Sequence, residues 1–136
     1  MARPTSALIV DDEAHVRVYL RMLLQSLGVK TFWEAGDGLQ AIALYKEHLP
    51  GVVLLDVNMP VMTGREVMEE FQHLNPRAAV VVVTSQHGLQ SVQDFRRLGA
   101  VGYVLKHTPT AQTKVLLETA LDLIAEAESE NETEEA

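Results

Sequence analysis

The 136-residue chain contains no cysteine. That excludes a disulfide framework, thiol catalysis and any cysteine metal site, and nothing marks an oxidising compartment. Long apolar runs are missing as well. No stretch approaches the roughly 20 residues that span a bilayer, and the start Met1-Ala2-Arg3-Pro4-Thr5-Ser6 lacks the apolar segment of a secretory signal. The expectation is a cytoplasmic protein without membrane contact. There is no basic excess either. The net charge is −8, and Glu126, Glu128, Glu130, Glu132, Glu134 and Glu135 supply six of those charges, so the body before them carries only the remaining −2. Without a positive footprint, direct nucleic-acid binding is disfavoured. The histidines His15, His48, His73, His87 and His107 show no paired metal spacing such as i and i+4. No internal repeat and no second domain are visible, and no Gly-x-Gly-x-x-Gly follows the first apolar run, which argues against a dinucleotide site.

What is present is enough apolar sequence, 47% of the chain, to build a core in a length typical of one domain. Its centre is Val52-Val53-Leu54-Leu55-Asp56-Val57-Asn58-Met59-Pro60-Val61-Met62-Thr63-Gly64. Four successive apolar residues read as a strand buried on both faces, as in a parallel sheet covered by helices. Asp56 ends the run. A carboxylate at such a position needs a partner or a metal, because an isolated buried charge is costly; the plainer alternative is that it caps the following turn.

The rest of the chain alternates in the same way. Ala7-Leu8-Ile9-Val10 runs into the acidic Asp11-Asp12-Glu13, and Val16, Leu20, Leu23, Leu24 and Leu27 then recur at helical spacing, with Arg17 and Arg21 off the stripe. Val29 to Ala35 is a second strand. Ala41, Ile42, Tyr45 and Leu49 mark a second helix, and Val67, Met68, Phe71 and Leu74 a third. Ala79 to Val83 is the strongest strand signal and stops at Thr84-Ser85; Val92, Phe95 and Leu98 mark a weaker helix; Val101 to Leu105 is the last strand, ending at Lys106. After Pro109 a helix carries Leu116, Leu117, Ala120, Leu121 and Ile124. Five strands alternating with five helices predict a doubly wound α/β sandwich, with a domain over residues 1–127 and a solvated, disordered acidic tail over 128–136.

The informative polar residues share one kind of position. Asp11, Asp12, Asp56, Thr84 and Lys106 each follow the carboxyl end of an apolar strand run, the edge where open α/β sheets bind ligands. Right-handed crossovers put these loops on one rim. Carboxylates forced together repel unless a cation lies between them, and oxygen-only ligands suit Mg²⁺. Adjacent acids could instead cap the next helix, Lys106 could be an ordinary surface lysine, and Thr84 a strand-end residue. Met59 and Met62 are expected to pack the loop rather than bind anything.

Taken together, Val10-Asp11-Asp12-Glu13, Leu55-Asp56 through Gly64, Thr84-Ser85 and Tyr103-Val104-Leu105-Lys106 resemble the receiver domain of two-component response regulators, of the chemotaxis-regulator kind, over roughly Ala7 to Glu126. The resemblance implies a (βα)5 flavodoxin-like three-layer sandwich with a parallel sheet of order 2-1-3-4-5. It implies Asp56 as phosphoacceptor, with Mg²⁺ (or Mn²⁺) held by Asp11, Asp12, Asp56 and the backbone carbonyl of Asn58. Asp12 would be the direct ligand and Asp11 would act through water. Thr84 and Lys106 would contact the phosphoryl group, Thr84 and Tyr103 would be the switch pair, and Asn58 and Gln86 would tune loss of the phosphoryl group to water. The phosphodonor would be a sensor histidine kinase or histidine phosphotransfer protein. The output would be an altered protein-binding surface made by the fourth helix, last strand and last helix, the chain acting as a monomer or a phosphorylation-dependent dimer with no output domain expected after the last helix. Two departures stand out. His107-Thr108 occupies the place where the family usually has proline, often through a cis bond, directly after the lysine, so the loop geometry stays open. Ser85 stands where Ala is usual. The alternatives are a receiver-like interaction module that needs no phosphorylation, and an aspartyl-phosphate phosphohydrolase, which wants Asp-x-Asp where this chain has Asp11-Asp12-Glu13.

Overall fold

A computed structural model describes residues 2–85 and 88–135. The elements run β1 (Ser6–Val10), α1 (Ala14–Ser26), β2 (Thr31–Ala35), α2 (Gly38–His48), β3 (Val52–Leu55), α3 (Gly64–Leu74), β4 (Val80–Thr84), α4 (Leu89–Arg97), β5 (Gly102–Leu105) and α5 (Thr110–Glu135). All strand pairs are parallel, in the order β2-β1-β3-β4-β5. This is the expected doubly wound sandwich.

Its two cores follow from the two-residue period of a strand. In β1, Ala7 and Ile9 face one side and Leu8 and Val10 the other; Val52 and Leu54 alternate with Val53 and Leu55 in β3, and Val81 and Val83 with Val80 and Val82 in β4. One set packs under α1 and α5 through Leu20, Leu24, Leu117 and Leu121; the other packs under α2 and α3 through Ala41, Tyr45, Val67, Met68 and Phe71. Both faces being covered is why these strands read as continuous apolar runs.

Helix starts are written locally. Thr63 accepts from the Glu66 amide while Glu66 accepts from the Thr63 amide, a reciprocal cap on α3, and Asp37 accepts from the Gln40 amide to start α2.

Some details differ from the sequence reading. Leu49, placed on the α2 stripe by spacing, is instead a left-handed residue closing that helix and is 57% exposed. Strand β2 starts at Thr31 rather than Val29, and Val29 is buried just outside it. The acidic segment is not an unstructured tail, because α5 continues past residue 127 to Glu135. Ala and Glu are strong helix formers, and neither proline nor glycine interrupts the sequence after Pro109. The loop after Lys106 contains no cis bond among the described residues; His107 is left-handed, with φ 71°, and the Thr108 amide and hydroxyl both donate to the Leu105 carbonyl.

Val61 is a clearer outlier. It sits in the β3–α3 loop at φ 80° with its side chain 77% exposed. A β-branched residue there clashes with its own backbone at a cost of about 1–2 kcal/mol, and exposure provides little compensating burial. Val61→Gly is therefore expected to raise stability by up to ~1 kcal/mol after the greater entropy glycine loses on folding, read as a higher urea midpoint at unchanged slope.

Candidate functional site: an acidic rim at the carboxyl end of the sheet

Backbone pairing extends one residue beyond three strands and thereby positions the site. The Asp11 amide donates to the Ala35 carbonyl at 3.0 Å, the Asp56 amide to Val10 at 2.9 Å, and the Lys106 amide to Thr84 at 2.8 Å. Each of these residues thus leaves the sheet at the same rim, in register. Asp11 and Asp56 are buried, at 1% and 3% exposure, whereas Asp12 faces solvent.

Each buried carboxylate has one oxygen committed to its own loop. Asp11 Oδ1 accepts from the Glu13 amide and Asp56 Oδ1 from the Asn58 amide, both at 2.9 Å. The turn-capping alternative is therefore half right: each acid braces the turn that follows it, and the second oxygen remains for the site. Neither Asp11 nor Asp12 caps α1, whose N-cap position belongs to Glu13. The Lys106 ammonium reaches both second oxygens, at 2.7 Å from Asp11 Oδ2 and 2.9 Å from Asp56 Oδ2, and it is no ordinary surface lysine. The contact to Asp56 is a hydrogen bond; the one to Asp11 is a charge contact that leaves Asp11 Oδ2 without a well-directed donor.

Electrostatics follow from this crowding. Burial pushes the Asp11 carboxyl above the usual range, against the opposing pull of Lys106 and the Glu13 amide. Burial pulls the Lys106 ammonium down, but contacts with Asp11 and Asp56 outweigh it, and its pKa ends above the usual lysine value. Because the folded pKa of Asp11 is raised, its ionisation costs stability as pH rises from the unfolded carboxylate pKa through the folded one. Asp11→Asn keeps an acceptor for the Glu13 amide and removes that cost. The expected result is a higher melting temperature near neutral pH without divalent ions, a difference that disappears in acid where Asp11 is protonated in both states.

One oxygen from each of Asp11, Asp12 and Asp56 lies within 4.8 Å of the others. An all-oxygen set with one buried oxygen lacking a donor fits a hard divalent cation such as Mg²⁺. Thr84, fully buried at the end of β4, pairs in register with Leu105, next to Lys106. Asn58 is exposed in the loop after Asp56. Tyr103 stands apart from the acidic cluster: it is half-buried on β5 beneath α4, 6.4 Å from the Phe95 ring, and burial raises its phenol against an opposing hydrogen bond with Ser91. Met59 and Met62 pack partly buried against the α2–α3 core. Gln86 and His87 lie outside the described residues. His15, His73 and His107 are exposed, and His48 stacks on Trp33 with centroids 4.4 Å apart.

A cavity of about 340 Å³ opens beside Lys106, bordered by His15, Tyr19, Ser85 and His107. A larger one of about 600 Å³ lies at the opposite rim near Tyr45 and Asn75 and touches none of these acidic residues. Size alone would point to the wrong end of the sheet. Sequence reasoning also missed Arg17, whose guanidinium donates to the Asp11 carbonyl at 2.6 Å and to Glu34 at 2.9 Å. Its only signal was its place off the apolar stripe of α1.

Fold and rim together define a flavodoxin-like α/β domain with a carboxylate pocket that fits a divalent cation. Residues 7–118 match the response regulator receiver domain family, and the chain belongs to it, placing it in two-component signalling. It is 35% identical over 112 residues to protein CcdB of Bacillus subtilis, covering 82% of this chain and 92% of that one. It is 32% identical over 99 residues to the chemotaxis protein CheY of the same organism, covering 73% and 82%. Among solved structures, the CheX–CheY–BeF3–Mg complex of Borrelia burgdorferi aligns with a TM-score of 0.80 at 27% identity, covering 89% of this chain and 90% of that one. Among the described residues, no helix is long and apolar enough to cross a membrane.

Proposed function

We propose that this protein is a cytoplasmic signalling switch in which Asp56 accepts a phosphoryl group from phosphohistidine on a sensor histidine kinase or histidine phosphotransfer protein. The observation that carries this reading is the placement of Lys106 between Asp11 and Asp56, which leaves Asp56 buried, braced and facing a cation-fitting cluster. Asp56 Oδ2 attacks phosphorus, the bond to the imidazole nitrogen breaks, and the imidazole leaves with its electron pair. Lys106 then exchanges its contact with Asp56 for one with a phosphoryl oxygen, and the Thr84 hydroxyl donates to another.

Asp11, Asp12, Asp56 and the Asn58 carbonyl would hold Mg²⁺, or Mn²⁺ with the same donor preference, which would supply charge neutralisation on the transferred group. The CheY complex of Borrelia burgdorferi, which contains BeF3 and Mg, supports this assignment. Phosphorylation draws Thr84 toward the phosphoryl group and Tyr103 inward, which changes the surface of α4, β5 and α5 that meets a downstream protein or a second copy of the chain. Hydrolysis, with Asn58 beside the phosphoryl site, resets it.

The test is intact mass after incubation with acetyl phosphate, with and without Mg²⁺. A single Mg²⁺-dependent phosphoryl adduct is expected. Absence of any adduct in Mg²⁺ would overturn the reading in favour of a phosphorylation-independent interaction module.

A further inference from the structure

Arg17 ties the acidic loop to the neighbouring strand. Its side chain is only 20% exposed and its guanidinium makes two directed bonds, to the Asp11 carbonyl at 2.6 Å and to Glu34 Oε1 at 2.9 Å. The Asp11 amide is already held by the Ala35 carbonyl of β2. Both ends of Asp11 are thereby anchored: the amide by the backbone of β2, the carbonyl through Arg17 to a side chain of β2. The Asp11 carbonyl shares its peptide plane with the Asp12 amide, so fixing it sets the direction in which the exposed Asp12 leaves the strand. A planar guanidinium whose Nε is fixed on Glu34 aims its Nη1 at the Asp11 carbonyl in a set direction, where an ammonium would supply only a point charge.

We infer that Arg17, oriented by Glu34, is a positioning residue for divalent-cation binding: it preorganises the Asp11–Asp12 peptide so that the two carboxylates and Asp56 converge. The inference rests on the cation site proposed above. It makes a distinctive prediction of sign. Arg17 is a positive charge beside a cation site, so by charge alone its removal should tighten Mg²⁺ binding. Removal of a residue that supports the ligands indirectly instead weakens metal affinity, commonly by 10–100-fold.

The experiment is calorimetric titration of Mg²⁺ into wild type, Arg17→Gln, Arg17→Lys, Glu34→Gln and Arg21→Gln, each checked for folding by circular dichroism. Arg21 is the charge control, since it contacts Glu34 at 3.5 Å and lies over the Phe32 ring but has no bond to the acidic loop. Expected are at least tenfold weaker binding for Arg17→Gln, weakening in the same direction for Glu34→Gln, only partial recovery in Arg17→Lys, and no weakening in Arg21→Gln. In acetyl phosphate labelling, Arg17→Gln should need more Mg²⁺ for half-maximal rate yet approach the wild-type rate at saturation, a split that general destabilisation does not produce. Folded Arg17→Gln that binds Mg²⁺ as tightly as wild type, or more tightly, overturns the inference and leaves the site intact. Wild type that binds no Mg²⁺ overturns the site itself and the inference with it.

Discussion

Asp56→Asn is expected to abolish the phosphoryl adduct completely at every Mg²⁺ concentration. The substitution is nearly isosteric, and an amide oxygen at Oδ1 still accepts from the Asn58 amide, so the loop should keep its course. What disappears is the proposed nucleophile. The carboxamide cannot supply the oxygen that attacks phosphorus, and no neighbouring side chain replaces it in place: Asp11 is braced by the Glu13 amide, and Asp12 is exposed on the outer side of the cluster. Lys106 would keep Asp11 at 2.7 Å as its charge partner, so the variant should fold and its circular dichroism should match wild type. Intact mass is the deciding measurement. A Mg²⁺-dependent adduct of undiminished yield on Asp56→Asn would place the phosphoacceptor elsewhere and sink the assignment.

Gly64→Ala is expected to produce the largest loss of stability, about 3 kcal/mol, the upper range for forced overpacking. Gly64 opens α3 directly after the Thr63 cap and presses against the loop that leaves Asp56. A Cβ there would come within 2.5 Å of Val57 Cβ and Cγ1 and 2.7 Å of Val57 Cα. The obstacle includes backbone next to Asp56, so no side-chain rotation relieves it. Either the first turn of α3 moves off the sheet or the segment from Asp56 to Asn58 shifts. A shift of the second kind would also disturb the Asn58 amide bond to Asp56 and slow labelling. Gly28 is the useful contrast: a Cβ there meets nothing within 4 Å, but φ is +99°, so Gly28→Ala should show backbone strain alone and leave labelling unchanged. Urea midpoints and acetyl phosphate labelling rates for both variants separate the two effects.

How much of this was legible beforehand depends on whether the signal is local. Strand identity was legible because Val52 to Leu55 and Val80 to Val83 are apolar at every position, which only a sheet buried on both faces requires. The α3 cap has a sequence spacing in Thr63-Gly64-Arg65-Glu66 that could have found it, but the sequence reading did not use it. Helix ends were less legible. Leu49 carries an apolar side chain at the right interval, yet the chain must turn toward Pro50-Gly51, and that geometry puts Leu49 in a left-handed cap. The fate of the acidic segment was misjudged from charge, since helix propensity and continuity with α5 act on the backbone, which composition does not describe.

The sequence by itself determined the alternation of strands and helices, the parallel class of the sheet, and that Asp11, Asp12, Asp56, Thr84 and Lys106 follow strand ends, because each of these is set by side-chain periodicity within a few residues. Only the tertiary structure decided which of those residues meet. The 2.7 Å and 2.9 Å contacts of Lys106 join positions 95 and 50 residues apart, and the Arg17 bond to the Asp11 carbonyl depends on how α1 crosses from β1 to β2. Register across β1, β3, β4 and β5 is what brings them together, and register is a property of paired strands that no single stretch of chain contains.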